Sequence, residues 1–180
     1  MADRELSLEL RLIKPGDRVA GFSCGDAAAL PLKTFLQKQA VGYQKQNLAR
    51  TYAVFDGDNG NRIAAYVTLV CGEIVLESDG VRPAHEDGIT YRFSHYPAVK
   101  IARLAVDSRY RGRGLGATLV DFSLGVAKDT VSSAVGCRFL VVDSKKSAVD
   151  FYMKRGFTLI DTDENRRRDE PILFVDLMKL

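Results

Sequence analysis

The 180 residues carry 26 Lys and Arg against 23 Asp and Glu, a formal charge of +3, with 46% hydrophobic and 27% charged residues. A chain of that size buries an adequate core as one domain, and its charge is too weakly basic to require a polyanionic partner. Cys24, Cys71 and Cys137 are odd in number and far apart, and the only histidines are His85 and His95, so neither a disulfide framework nor a metal site is expected. No apolar run of about 18 residues and no charged-then-apolar leader occurs, so the expectation is a cytoplasmic protein without a membrane span.

"LSLELRLIK" alternates apolar and polar residues and reads as a first strand ending at Pro15–Gly16. Asp26 then caps a helical stretch in which Leu32, Phe35, Leu36 and Ala40 recur at helical spacing, with Pro31 marking either two short pieces or the start of the second. "TYAVFDGDNGNRIAAYVTLV" is a hairpin around a "DGDNGN" turn. Residues 78–97 keep no period and read as a long loop, of a length that is usually functional or mobile. "AVKIARLAV" is a central strand, and Leu115, Leu119, Phe122 and Val126 mark an amphipathic helix after it. "CRFLVVDS" is a buried strand, "SAVDFYMKRG" a short helix stopped by Gly156, and "FTLID" and "ILFVDLMKL" are closing strands. This order predicts one α/β (mixed α+β) domain over residues 1–180, with a mixed sheet of six or seven strands flanked by about four helices.

The junction "VDSRYRGRGLGATLV" places Arg109, Arg111 and Arg113 among Gly112, Gly114 and Gly116, between a strand and a helix. Glycines let backbone N–H groups approach a ligand without a Cβ in the way, and the first N–H groups of a helix have no internal partners. Such a junction suits a phosphate or pyrophosphate. It contains no GxxxxGK[ST], and its glycine spacing fails GxGxxG, so the two familiar nucleotide loops do not apply. What remains is R-x-x-G-x-G at Arg111, Gly114 and Gly116.

That hexapeptide, at a strand–helix junction, resembles the acetyl-CoA signature of the GNAT superfamily of N-acetyltransferases. "SAVDFYMKRGF" downstream resembles the A-x-x-F-Y-x-x-x-G-F pattern of many members. The resemblance implies acetyl-CoA as co-substrate, with Leu104, Ala105 and Val106 ending a splayed strand whose backbone meets the pantetheine arm. It implies that backbone N–H groups from Arg111 through Gly112, Arg113, Gly114, Leu115, Gly116 and Ala117 cradle the pyrophosphate. Arg109 and Arg113 have a second reading as solvated charges.

In direct acetyl transfer an amine attacks the thioester, backbone N–H donors stabilise the oxyanion, and the leaving thiolate takes a proton. Tyr152 is the expected proton donor, with Phe151 beside it in the core. Ser144 either lines the CoA arm or caps a helix. Glu73 and His95 are alternative general bases, although a solvated surface glutamate and an incidental loop histidine are the commoner readings of such residues. An α-amine, with a pKa of ~7.7–8.0, needs no dedicated base, whereas a lysine near ~10.4 does.

A narrower resemblance runs from Phe22 to the end, through "FSCGDAAALPLKTFLQKQA", "ARTYAVFD", "IAAYVTLV" and "RLAVDSRYRGRGLG". These are similar to the tRNA-acetylating toxins of bacterial type II toxin–antitoxin modules, although arginine at 111 replaces the more usual glutamine. That resemblance implies acetylation of the α-amine of aminoacyl-tRNA, a block to translation, a ribbon-helix-helix antitoxin and a homodimer. Arg82, Arg92, Arg103, Arg166, Arg167 and Arg168 then become candidate contacts to tRNA phosphates. The alternatives are a GNAT enzyme acting on a small amine, an antibiotic or a protein N-terminus, and a CoA-binding module without turnover.

Overall fold

The opening alternation forms strand β1 (Leu8–Leu12), which pairs antiparallel with β2 (Arg50–Asp56). The structure is a computed structural model that describes residues 7–76 and 93–180. Between these strands the Asp26 carboxylate accepts the Ala28 N–H at 2.9 Å and caps a 3-10 turn over Ala27–Ala29. Helices α1 (Leu30–Lys38), with proline in its first turn, and α2 (Ala40–Lys45) follow. The stretch around Pro31 therefore does form short pieces, as its sequence suggests.

The "DGDNGN" segment turns β2 back antiparallel onto β3 (Arg62–Val75). Gly60 and Asn61 take positive φ there, the conformation these residue types tolerate best. Residues Ile63 to Leu69 of β3 are all buried, the pattern of a strand covered on both faces. Strand β4 (His95–Val106) begins three residues earlier than its apolar run suggests. Pro97 is accommodated because its carbonyl, not an N–H, makes the bond there, accepting from Arg138 N at 2.9 Å.

Helix α3 (Leu115–Gly125) continues through a π-helical turn over Val126–Val131 into α4 (Ser132–Val135). Then come β5 (Phe139–Asp143), α5 (Val149–Met153), β6 (Thr158–Leu159), α6 (Asp163–Arg167) and β7 (Ile172–Asp176). The seven strands lie in the order β1-β2-β3-β4-β5-β7-β6, with β4 and β5 parallel and the pairs β1–β2, β2–β3, β5–β7 and β6–β7 antiparallel. The mixed sheet matches expectation, while the helical layer is cut into more and shorter pieces than the four anticipated. "FTLID" yields only two strand residues, and the following polar segment becomes α6, where the Thr162 hydroxyl accepts the Asn165 N–H at 3.1 Å.

The described residues within 1–70 and 102–122 form one compact unit, and those within 71–101 and 123–180 form another. The first is built on Ile13, Phe22, Phe35, Leu36, Phe55, Ile63 and Tyr66. Phe22 and Tyr66 meet edge to face at 5.4 Å, and the Tyr66 hydroxyl donates to the Leu32 carbonyl at 2.7 Å, which satisfies the one polar atom that ring brings inside. The second unit is built on Tyr96, Phe139 and Phe174, stacked edge to face at 5.6 and 5.5 Å, with Ile74, Leu76, Val141 and Ile160.

Candidate active site

Strands β4 and β5 pair through Ala98–Ile101 and Phe139–Val142, after which β4 continues alone of the two to Val106. Leu104, Ala105 and Val106 thus lie past the end of that pairing, where the sequence anticipates a splayed strand. Ala105 is buried, and Leu104 and Val106 are half-buried.

At the end of β4 the chain makes a 3-10 turn over Ser108–Tyr110, and Asp107 holds its start. Asp107 is fully buried, yet its carboxylate accepts four hydrogen bonds: from Ser23 N at 2.9 Å, Arg109 N at 3.0 Å, Arg109 Nε at 2.7 Å and Arg109 Nη2 at 2.5 Å. Burial pushes that carboxyl upward, but the bonds from Arg109 and Ser23 outweigh it and hold it below the ordinary value. The Arg109 guanidinium also donates to the Gly21 carbonyl at 2.6 Å. The Arg111 guanidinium, although on the surface, donates to the Cys24 carbonyl. Two of the three arginines therefore bind the protein's own backbone.

The "FSCGD" segment is the counterpart of this loop. Its Ser23 carbonyl accepts Ser108 N at 2.8 Å. Gly25 sits at φ +68, and a Cβ there would lie 3.0 Å from the Ser108 Cβ, so the close approach of the two segments requires glycine. Phe22 anchors the segment in the core. The F-x-C-G opening has a physical meaning: it is the buttress against which the glycine–arginine loop is tied.

Beyond Arg111 the loop changes character. Gly112 and Gly114 both have φ +77, and a Cβ at either would meet nothing within 4 Å. These glycines face open space, and the constraint on them is backbone conformation. The first N–H of α3 to bond back is that of Thr118, to the Gly114 carbonyl at 3.1 Å. The N–H groups of Leu115, Gly116 and Ala117 precede the helical ladder, where the helix dipole adds partial positive charge. Arg113 is exposed, its guanidinium 5.7 Å from the Tyr110 ring. An open surface of backbone donors with one uncommitted cation beside it fits the pyrophosphate of acetyl-CoA.

In the second unit, Tyr152 of α5 is 6% exposed, its ring edge to face with Phe151 at 5.1 Å and Phe157 at 5.3 Å. Burial alone pushes its phenol up to about 12. Among the described residues the hydroxyl has no hydrogen-bond partner. A hydroxyl without a protein partner on a buried ring is available to a ligand. Phe151, expected in the core, is only half-buried, and Tyr152 is the deeper of the two.

The remaining candidates divide. Ser144 is buried, its hydroxyl donating to the Lys145 carbonyl at 2.9 Å, so it neither caps the next helical turn nor offers a free proton. Glu73 and His95 meet, Oε1 to Nδ1 at 2.9 Å, with both side chains more than half exposed. Arg103 stacks its guanidinium 3.8 Å over the Phe35 ring, and Arg166 is paired with Asp161 and Asp163. Arg167 and Arg168 are exposed, with Arg168 Nε donating to the Glu170 carbonyl at 3.3 Å. Arg82 and Arg92 lie outside the described residues. Asp56, Tyr110, Asp107 and the Cys24 carbonyl shape the loop without having been singled out; only Asp107 and Tyr110 stood inside the quoted junction.

The family model of the acetyltransferase (GNAT) domain matches residues 88–180, just over half of the chain. The chain belongs to the GNAT acetyltransferases. A tRNA-acetylating toxin of Mycobacterium tuberculosis (strain ATCC 25618 / H37Rv) is 29% identical to this GNAT protein over 157 residues, 85% of this chain and 86% of the toxin. The structure is also similar to AtaT complexed with acetyl-methionyl-tRNAfMet, with a TM-score of 0.77, 26% identity and 96% of each chain covered. It is similar to AtaTR bound with acetyl-CoA, with a TM-score of 0.74 and 26% identity over 96% of this chain and 95% of that one. No helix among the described residues is long and apolar enough to cross a membrane.

Proposed function

We propose that this GNAT protein transfers the acetyl group of acetyl-CoA to the α-amine of aminoacyl-tRNA and so blocks translation. The open donor surface at Gly112–Ala117 carries the acetyl-CoA half of this reading. The likeness to a tRNA-acetylating toxin over 85% of the chain supports the acceptor half. Backbone N–H groups from Arg111 through Ala117 hold the pyrophosphate, and the strand end at Leu104, Ala105 and Val106 receives the pantetheine arm. Ser144 lines that arm as an acceptor only, its proton being engaged.

The neutral α-amine attacks the thioester carbonyl, the C–S bond breaks, and Tyr152 gives its proton to the departing thiolate. The amine loses one proton to solvent, and Tyr152 recovers one from solvent. A phenol near 12 is a weak acid for a thiol whose ordinary pKa is ~8.5. Desolvation at the same place raises the thiol too, which brings the two closer. Arg167 and Arg168 are the exposed cations we assign to tRNA phosphates; the Arg103 guanidinium lies over the Phe35 ring, and the exposed Arg166 is paired with Asp161 and Asp163. Acetyl-CoA and charged tRNA meet in the cytoplasm, where we place the enzyme, with a ribbon-helix-helix antitoxin as its neutralising partner.

Cell-free translation tests the proposal. Adding the protein with acetyl-CoA is expected to stop synthesis, while adding it without acetyl-CoA or as Tyr152→Phe leaves synthesis running. Unimpeded translation under all three conditions overturns the tRNA reading and directs the assay to small amines and protein N-termini.

A further inference from the structure

Tyr110 lies inside the glycine–arginine junction, but its side chain does not point toward the open donor surface. It is buried, and its hydroxyl donates to Asp56 Oδ2 at 2.6 Å. Asp56 ends β2 and is fully buried, 54 residues away in the chain. Its carboxylate also accepts Asp58 N at 3.1 Å and Asn59 Nδ2 at 2.5 Å, which tie it into the β2–β3 turn. Burial pushes this carboxyl upward, but the bonds from Tyr110, Asn59 and the turn backbone outweigh it, so it stays ionised. The phenol of Tyr110 is pushed up by burial and by that carboxylate, so it stays a donor.

The loop thus has ties of two kinds. Asp107, Arg109 and Arg111 fasten it to the 21–25 segment, while Tyr110 fastens it to the hairpin on β2 and β3. Tyr110 is followed, after Arg111, by the positive-φ residues Gly112 and Gly114. Glycines at open positions supply conformational freedom and no restraint, so the N–H groups that follow keep their directions only if the chain entering them is held. The last side chain held by a buried polar bond before those glycines is Tyr110.

We propose that Asp56 and Tyr110 form a positioning pair for the acetyl-CoA loop, the buried bond between them setting the direction in which the N–H groups of residues 112–117 are presented. This rests on the proposal that the loop binds acetyl-CoA. Neither residue touches the co-substrate; both act through the backbone that does. A buried hydrogen bond to a charged group is worth enough to show as a change of about ten-fold in affinity when it is removed.

The test compares wild type with Tyr110→Phe, Asp56→Asn and the double variant, reading three quantities: the CoA dissociation constant by calorimetry, KM for acetyl-CoA against kcat at saturation, and Tm. Tyr110→Phe removes one oxygen and keeps the ring, so it is the variant least prone to unfold. The expected result is a rise of about ten-fold in both the CoA dissociation constant and KM for acetyl-CoA, with kcat changed less than about two-fold. The double variant is expected to show no larger rise than Tyr110→Phe alone, because the two groups make one bond. A merely structural role would lower Tm and the active fraction while leaving KM unchanged, and that pattern overturns the pair. Additive effects of the two substitutions also overturn it. Wild type that fails to bind CoA removes the acetyl-CoA reading itself; wild type that binds, with unchanged variants, removes only the positioning pair.

Discussion

In the loop at residues 107–117, one carboxylate, two guanidinium groups and a phenol, the last bonded to Asp56 of β2, are committed to holding backbone in place, and what is left free is main-chain N–H groups and the Arg113 side chain. Around Tyr152 the neighbours are the rings of Phe151 and Phe157, and the atom left free is a side-chain hydroxyl. The contrast follows from what each region is proposed to do. An anion is bound by several weak backbone donors at once, so their directions must be fixed, and charged hydrogen bonds fix directions well. A proton donor needs one group kept protonated, and desolvation does that without any partner.

If this division is right, substitutions in the two regions damage different kinetic constants. Tyr152→Phe is expected to lower kcat by about 10²–10³-fold, with KM for acetyl-CoA and Tm nearly unchanged, since only one oxygen is lost from an intact aromatic cluster. Steady-state kinetics with thermal melts check this, and a large rise in KM instead would place Tyr152 in binding. Arg111→Met is expected to raise KM for acetyl-CoA by about ten-fold with little change in kcat, because the Cys24 carbonyl loses its donor and the loop loses a tie. Arg113→Met, whose guanidinium makes no such tie, is expected to cost about two-fold or less. Equal effects at the two positions would contradict the view that Arg111 works through the backbone.

The pH dependence sharpens the comparison further. The acceptor α-ammonium must lose its proton, so kcat/KM rises through ~7.7–8.0. In the proposed mechanism Tyr152 acts protonated, and a phenol pushed up to about 12 stays so across the whole accessible range. The expected profile rises once and then stays level to at least pH ~10, where an unperturbed tyrosine would begin to ionise. A falling limb near pH 9 in wild type would mean that the donor is a different, more acidic group.

How much of this was legible beforehand depends on range along the chain. The strand ending in Leu104–Ala105–Val106 and the turn glycines at 112 and 114 are local patterns, legible because local geometry demands those residue types, whereas of the aromatic pair at 151–152 only Tyr152 is buried. The bond between Asp56 and Tyr110 spans 54 residues and leaves no spacing to notice. The double use of Arg111, a motif residue whose side chain serves Cys24, is equally invisible until the 21–25 segment is folded against the loop. Helix α6 is a different case, since Thr162 followed by Asp163 and Glu164 is a helix-start signal in the segment between the two closing strands. The three arginines of the Arg166–Arg168 run are alike in sequence, whereas α6 places Arg166 against Asp161 and Asp163.

The central claim is the acceptor, and labelled acetyl-CoA tests it most directly. The protein is incubated with aminoacylated tRNA in one tube and the same tRNA stripped of its amino acids in another. Label is expected on the charged tRNA alone, released with the amino acid by mild alkali as an N-acetyl-aminoacyl product, and almost absent with Tyr152→Phe. Label that appears equally on stripped tRNA, or on neither while CoA binding is intact, would contradict the claim.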